Sequence, residues 1–334
     1  SAIIYYQKAL KRKTNYAQAL DRITMLFRSQ RSWQKIIDVY RPVLAADSID
    51  RAARILSAEA YYYLEKYDEA RRLLKPIMEQ EEPPLSVLEL AGRVEMESKH
   101  FAQAVALFRR ILSQDEKNKF AWLFLAFTQS DMNQPDSAEV SFRRALELYP
   151  DDAMIWSFYG MNLQKQEKYQ QAIQAFQKTL QLEPDNSNAL TNLPLVYENL
   201  KMFEQCDSLY EIALKRLPDN PLILNNYSYS LSERNLRLQE ALQMAQKAIL
   251  LKPKEAAYLD TIGWIYFKLG NLAEAEKYIK KSIEIRQTSP VVAEHLGDVY
   301  YEMKNYDKAR EYWQKALNED SGNQNLKNKL KKVR

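Results

Sequence analysis

Apolar residues recur three and four positions apart along nearly the whole chain, in short runs separated by polar turns. Trp122, Leu125 and Ala126 belong to one run, and Ala138, Phe142 and Ala145 to the next. That spacing puts side chains on one face of a helix, so each run predicts an amphipathic helix of about three turns. Glu167-Lys168-Tyr169 and Lys304-Asn305-Tyr306 are two of the intervening turns, each with an aromatic residue placed to close onto the helix pair. The repeated element is therefore a helical hairpin.

The hairpins keep a fixed period. Pro150, Pro184 and Pro218 are 34 residues apart, and Pro253 follows after 35. Ala70, Ala104, Ala138, Ala172, Cys206, Ala241, Ala275 and Ala309 hold the same register, as do Ala58, Gly92, Ala126, Gly160, Pro194, Ser228, Gly263 and Gly297. A small residue is required where two helix backbones approach closely, and a bulky side chain four residues later fills the groove beside it. Proline then ends the second helix, because it cannot continue the hydrogen-bond ladder.

The unit from Lys119 carries Trp122, Leu125, Ala126, Ala138, Phe142, Ala145 and Pro150; the next carries Trp156, Tyr159, Gly160, Ala172, Phe176 and Pro184. Later units keep Gly263, Tyr266 and Ala275, then Gly297, Tyr300, Ala309, Trp313 and Ala316. This pattern resembles the tetratricopeptide repeat. Complete units start at Ala17, Arg51, Leu85, Lys119, Ala153, Ser187, Pro221, Ala256 and Pro290. The resemblance implies an all-α, right-handed superhelical solenoid of antiparallel helix pairs. It spans 1–334 as one solenoid: 1–16 the second helix of a truncated repeat, 17–323 nine repeats, and 324–334 a cap helix with a basic tail. Ala2, Tyr6 and Ala9 fit second-helix places, so the native protein is expected to continue upstream. Leu326, Leu330 and Val333 give the last helix one apolar edge, as a polar terminal cap requires.

Departures from the pattern mark local shape. Pro194, inside a first helix, removes a backbone bond and predicts a kink, and Pro42 and Pro76 predict bent second helices. An extra residue between Glu233 and Leu238 lengthens one turn.

Composition narrows the classes. With 6 Gly and 12 Pro in 334 residues the chain lacks the turns of a many-stranded sandwich or barrel, and 46% apolar residues exclude a disordered chain. The longest apolar run, Ala121 to Phe127, is far short of the roughly 18 residues a membrane helix needs. The one cysteine, Cys206, excludes an internal disulfide and reads as a small buried hydrophobe. No phosphate loop, metal cluster or nucleophile with a base is visible, so neither an enzyme, a cofactor nor a metal is expected. His100 reads as a solvated turn residue, and His295 with Asp298 as a surface pair.

The resemblance implies that ligands contact the second, fifth, ninth, twelfth and thirteenth places of the first helices. These places hold Asp21, Glu59, Glu89, Glu97, Asp131, Glu198, Glu233, Asp260, Glu294, Asp298 and Glu302 against Arg28, Arg93, Lys165 and Lys268, an acidic surface on a chain of net charge +4. Such a surface repels nucleic acid and attracts basic segments. Phe120, Leu123 and Phe127, followed by Met154 and Met161, are expected to offer an apolar patch. Asn188, Asn192, Asn225 and Asn226, with Tyr229 and Trp264, are expected to hold an extended backbone, since amides both donate and accept. The Lys and Asn pair of the family's carboxylate clamp is missing, which argues against binding chaperone C-termini.

The expected function is thus a non-enzymatic scaffold that binds a peptide or protein segment, basic or apolar, in its concave groove. The alternative is a structural spacer or assembly arm of a larger envelope or multi-domain protein. The units around Asn225 to Ser228 and Leu259 to Trp264 look like the C-terminal units of bacterial multi-repeat proteins, many exported or lipid-anchored, which tilts the expected compartment towards the periplasm.

Overall fold

The computed structural model describes residues 2–13, 16–286 and 289–333. Ser1, Thr14, Asn15 and Arg334, which fall in the expected terminal segments, lie outside the described residues. The described residues form helices only. After α1 (Ala2–Arg12) come nine hairpins: α2 (Ala17–Ser29) with α3 (Trp33–Ala46), α4 (Arg51–Tyr63) with α5 (Tyr67–Met78), α6 (Leu85–Glu97) with α7 (Phe101–Gln114), and α8 (Lys119–Asp131) with α9 (Pro135–Leu148). They continue as α10 (Ala153–Lys165) with α11 (Tyr169–Leu182), α12 (Ser187–Asn199) with α13 (Phe203–Arg216), α14 (Pro221–Glu233) with α15 (Leu238–Leu251), α16 (Ala256–Lys268) with α17 (Leu272–Ile285), and α18 (Pro290–Glu302) with α19 (Tyr306–Glu319). α20 (Gln324–Lys332) closes the series. None of these helices is long and apolar enough to cross a membrane. The contacts divide the chain into one compact unit up to Asn162 and another from Leu163.

Within each unit a first helix packs on the second helix of its hairpin, and that second helix packs on the next first helix. The closest approaches fall at the small residues. A Cβ at Gly92 would stand 2.5 Å from the Phe108 ring, and one at Gly263 would stand 2.6 Å from Ile279 Cγ1. Gly297 lies equally tight against the Trp313 indole. In the first unit the core runs from Ile23, Phe27, Ile36 and Tyr40 through Leu74 and Val87 to Leu88, Phe108 and Leu125. In the second, Ile279, Leu296, Val299 and Trp313 form one cluster, and α20 adds Leu326 and Val333 to it. At the other end Ile3 packs against the first cluster, whereas Ile4 is exposed.

Several helices on the first-helix side, α20 included, begin with the same device. Asp50, Asn118, Asn186, Asn220 and Asn323 each accept a backbone N–H two or three residues on, satisfying a donor that the helix cannot. α12 runs through Pro194, which is buried, and α3 and α5 run through Pro42 and Pro76. Cys206 is fully buried, and burial pushes its thiol up to about 12.

Each hairpin turn closes in one way. After α2, Arg31 takes a left-handed φ of 50°, its N–H donates to the Arg28 carbonyl, and the Ser32 N–H reaches back to the Phe27 carbonyl at 2.8 Å. This pair of bonds satisfies the last carbonyls of the helix. Glu65, Lys99, Asn133, Glu167, Lys201, Asn235 and Lys304 occupy the same left-handed position, and Gly270 alone does so without a side chain. The long turn adds a second left-handed residue, Arg237 (φ 48°), whose guanidinium holds Glu211, Glu240 and the Tyr227 hydroxyl.

Left-handed backbone costs a residue with a Cβ roughly 1 to 2 kcal/mol and glycine almost nothing. A Cβ at Gly270 meets no atom within 4 Å, so only backbone strain separates glycine from alanine there. Gly270→Ala is expected to destabilise its hairpin by about 1 kcal/mol and Lys304→Gly to stabilise its own by a similar amount. Opposite shifts of the urea midpoint check both.

Candidate functional site

The second unit contains a cleft of about 290 Å³ on the side formed by its first helices. Leu195 and Glu198 of α12, Asn225, Asn226 and Tyr229 of α14, and Asp260 and Thr261 of α16 line it, and Arg286 and Val292 lie beside the start of α18. Asn225 is 7% exposed. Its Nδ2 donates to Asn226 Oδ1 at 3.4 Å, while its Oδ1 has no partner among the described residues. A buried acceptor left unpaired costs about 1 to 3 kcal/mol, so this is an expensive place for an amide.

Beside the cleft, α16 and α18 share a buried polar cluster. His295 Nδ1 donates to the Asp260 carboxylate, 3.0 Å from Oδ2, and the imidazole stacks on Trp264 with 3.9 Å between centroids. The Trp264 indole N–H donates to Glu233. Burial pushes the Tyr229 hydroxyl well up, and the fields of Glu233, Asp260, Glu198 and Glu294 push it further. Burial likewise raises the Glu198 carboxyl, against a bond from Ser230 and the field of Arg234, whose guanidinium is already held by Asp207.

The residues expected from the sequence divide between the units. Asn225, Asn226 and Tyr229 come together in the cleft. Asn188 is exposed, and Asn192 donates its amide N–H back to the Asn188 carbonyl at 2.8 Å; neither lines the cleft. Trp264 is 7% exposed and serves as a stacking wall behind the cleft, not as a free surface. In the first unit Leu123 is buried and belongs to the packing, another correction. Phe127 is half-buried, edge-on to Phe142 and Phe158, and Met154 and Met161 are also half-buried. Phe120 remains 46% exposed, beside the Lys119 ammonium that bonds Asp152.

The acidic first-helix places are partly neutralised. Arg28 pairs with Glu59. Lys329 of α20 sets its ammonium 2.6 Å from Glu294 and 2.7 Å from Asp298. His100 is not simply solvated: it bonds Glu95 and meets Arg71. His295 is buried and not a surface residue, and its partner is Asp260, 35 residues earlier, not Asp298. The repeat register carries that pairing, since the two stand at the fifth and sixth places of successive first helices.

Two outcomes follow. Phe127→Glu is expected to destabilise the first unit by about 2 to 5 kcal/mol, as loss of a packed aromatic does, and Phe120→Glu to leave its melting temperature nearly unchanged. Glu198 binds its proton more tightly folded than unfolded, so its contribution to stability falls as pH rises from its ordinary range through the raised value. Glu198→Gln should therefore raise the urea midpoint at pH 7 and leave it unchanged at low pH.

Tetratricopeptide-repeat family models match residues 55–119, 95–161, 153–186, 256–289 and 291–323. A TPR repeat-containing protein of Pseudomonas aeruginosa, PA4667, is 41% identical over 58 residues, which are 17% of this chain and 10% of that protein's length. Among solved structures, the APC/C hetero-tetramer Cut9-Hcn1 superposes with a TM-score of 0.64 at 14% identity, covering 99% of this chain and 80% of the other. A tetratricopeptide repeat protein from Parabacteroides merdae gives 0.60 at 15% identity, covering 75% and 98%. At such identities the superpositions speak for the fold alone. Repeat matches over more than half the residues, on a stack of helical hairpins, place this chain in the tetratricopeptide repeat family.

Proposed function

We propose that the chain is a non-enzymatic scaffold that holds an extended protein segment in the cleft of its second unit. Tetratricopeptide repeats are in general protein-interaction scaffolds. The observation that carries the finer reading is the buried, unpaired Oδ1 of Asn225 beside the half-buried Asn226 amide. Together these two side chains offer donors and acceptors that match the N–H and C=O groups of an extended backbone. Tyr229 and Leu195 give the cleft apolar walls against which such a segment loses water.

The test starts from peptides selected from a random displayed library on the intact chain. Asn226→Ala is expected to weaken the selected peptides about tenfold, the worth of one or two hydrogen bonds, without changing the melting temperature. Asn192→Ala, whose amide is spent on its own helix, is expected to leave affinity unchanged. Peptides that bind equally well to Asn226→Ala, or that cross-link outside the cleft, would overturn the reading.

A further inference from the structure

Two successive steps between first helices of the second unit are tied by the same bond. At the step from α16 to α18, Asp260 at the fifth place of one helix accepts from His295 at the sixth place of the next, at 3.0 Å. At the step from α18 to α20, Glu294 at the fifth place accepts from Lys329 at the sixth, at 2.6 Å. At the step from α14 to α16 the fifth place is Asn225 and the sixth is Thr261, and here the acceptor Asn225 Oδ1 has no donor among the described residues. Two neighbouring steps of this stack thus fill the position with a nitrogen donor, and the step where the cleft lies leaves a buried acceptor there without one among the described residues.

What surrounds the open acceptor is rich in acceptors too. Glu198 and Asp260 line the cleft with Asn226 Oδ1, and the Tyr229 ring forms a wall. Arg286, exposed, is the one cation among the described lining residues. Glu198 and Asp260 outnumber it, and carboxylates give the largest fields at the Tyr229 hydroxyl. We infer that the cleft takes the cationic head of a lysine or arginine side chain from the bound segment, which supplies at Asn225 the donor that the chain itself supplies at Asp260 and Glu294. A guanidinium or ammonium meets this site as donor, as positive charge and as partner of the tyrosine face. The inference rests on the cleft being the peptide site and adds which side chain it selects.

The experiment titrates the intact, ¹⁵N-labelled chain with capped single residues, N-acetyl-arginine, N-acetyl-lysine, N-acetyl-norleucine and N-acetyl-glutamate methylamides, and follows the side-chain NH₂ signals of Asn225 and Asn226. The arginine or lysine amide is expected to bind at least about tenfold more tightly than norleucine, the size of one charge-assisted hydrogen bond. Asn225→Leu should erase that preference while keeping or raising the unfolding midpoint, because it removes an unpaired buried acceptor. Should Asn225→Leu not fold, Asn225→Asp is expected to sharpen the preference instead, and an unchanged preference would sink the inference. Equal binding of norleucine and arginine overturns the cationic subsite and leaves the backbone clamp standing. Preference for glutamate, through Arg286, overturns it as well. If none of the amides moves either signal, the cleft is not the peptide site and both readings fall.

Discussion

How near two helices of one hairpin can approach sets the rest of this structure. At Gly92, Gly263 and Gly297 there is no room for another carbon, because Phe108, Ile279 and Trp313 already occupy it. Contact that close buries the full height of those side chains and fixes the pitch between the helices. The left-handed turn residue and the bond back across it then hold the hairpin at that distance. Stacking follows, since a lone hairpin leaves its other face uncovered and only the next one can bury it.

That constraint also explains what could be read in advance. Small residues, prolines and turn residues are imposed by backbone geometry, so they recur in fixed register, and the nine unit starts expected from them coincide with the starts of α2, α4, α6, α8, α10, α12, α14, α16 and α18. The extra residue before Leu238 was equally legible, because it shifts every later position by one. The site was less so. Whether an inner-face side chain is open or buried depends on the neighbouring helix, and neither the burial of Leu123 and Trp264 nor the inward turn of the Asn192 amide leaves a mark in local sequence. Asn225, Asn226 and Tyr229 stand together in the sequence because they share one helix. The partner of His295 lies a repeat away, where local sequence carries no sign of it.

The electrostatics of the second unit follow from that longer register. Counting charges helix by helix gives an acidic surface, but its carboxylates do not act alone: Asp260 is answered by His295, and Glu294 and Asp298 by Lys329. Pairing across a step satisfies buried groups and ties neighbouring repeats together, and its cost in desolvation is offset only where both partners are present. At Asn225, where that bond is missing, the unit keeps an acceptor without a partner among the described residues, beside a carboxyl that burial makes harder to ionise. A fold built for stability alone would place a leucine there.

The turns carry a mechanical consequence. With one exception each hairpin bends through a residue that carries a side chain in a conformation suited to glycine, and Arg237 doubles that load in a single hairpin. Because each hairpin touches little beyond its neighbours, this load is not shared along the chain. Pulled from its ends, such a chain behaves as a row of springs of unequal stiffness in series: it lengthens by letting go of whole hairpins one after another, and the turns decide the order.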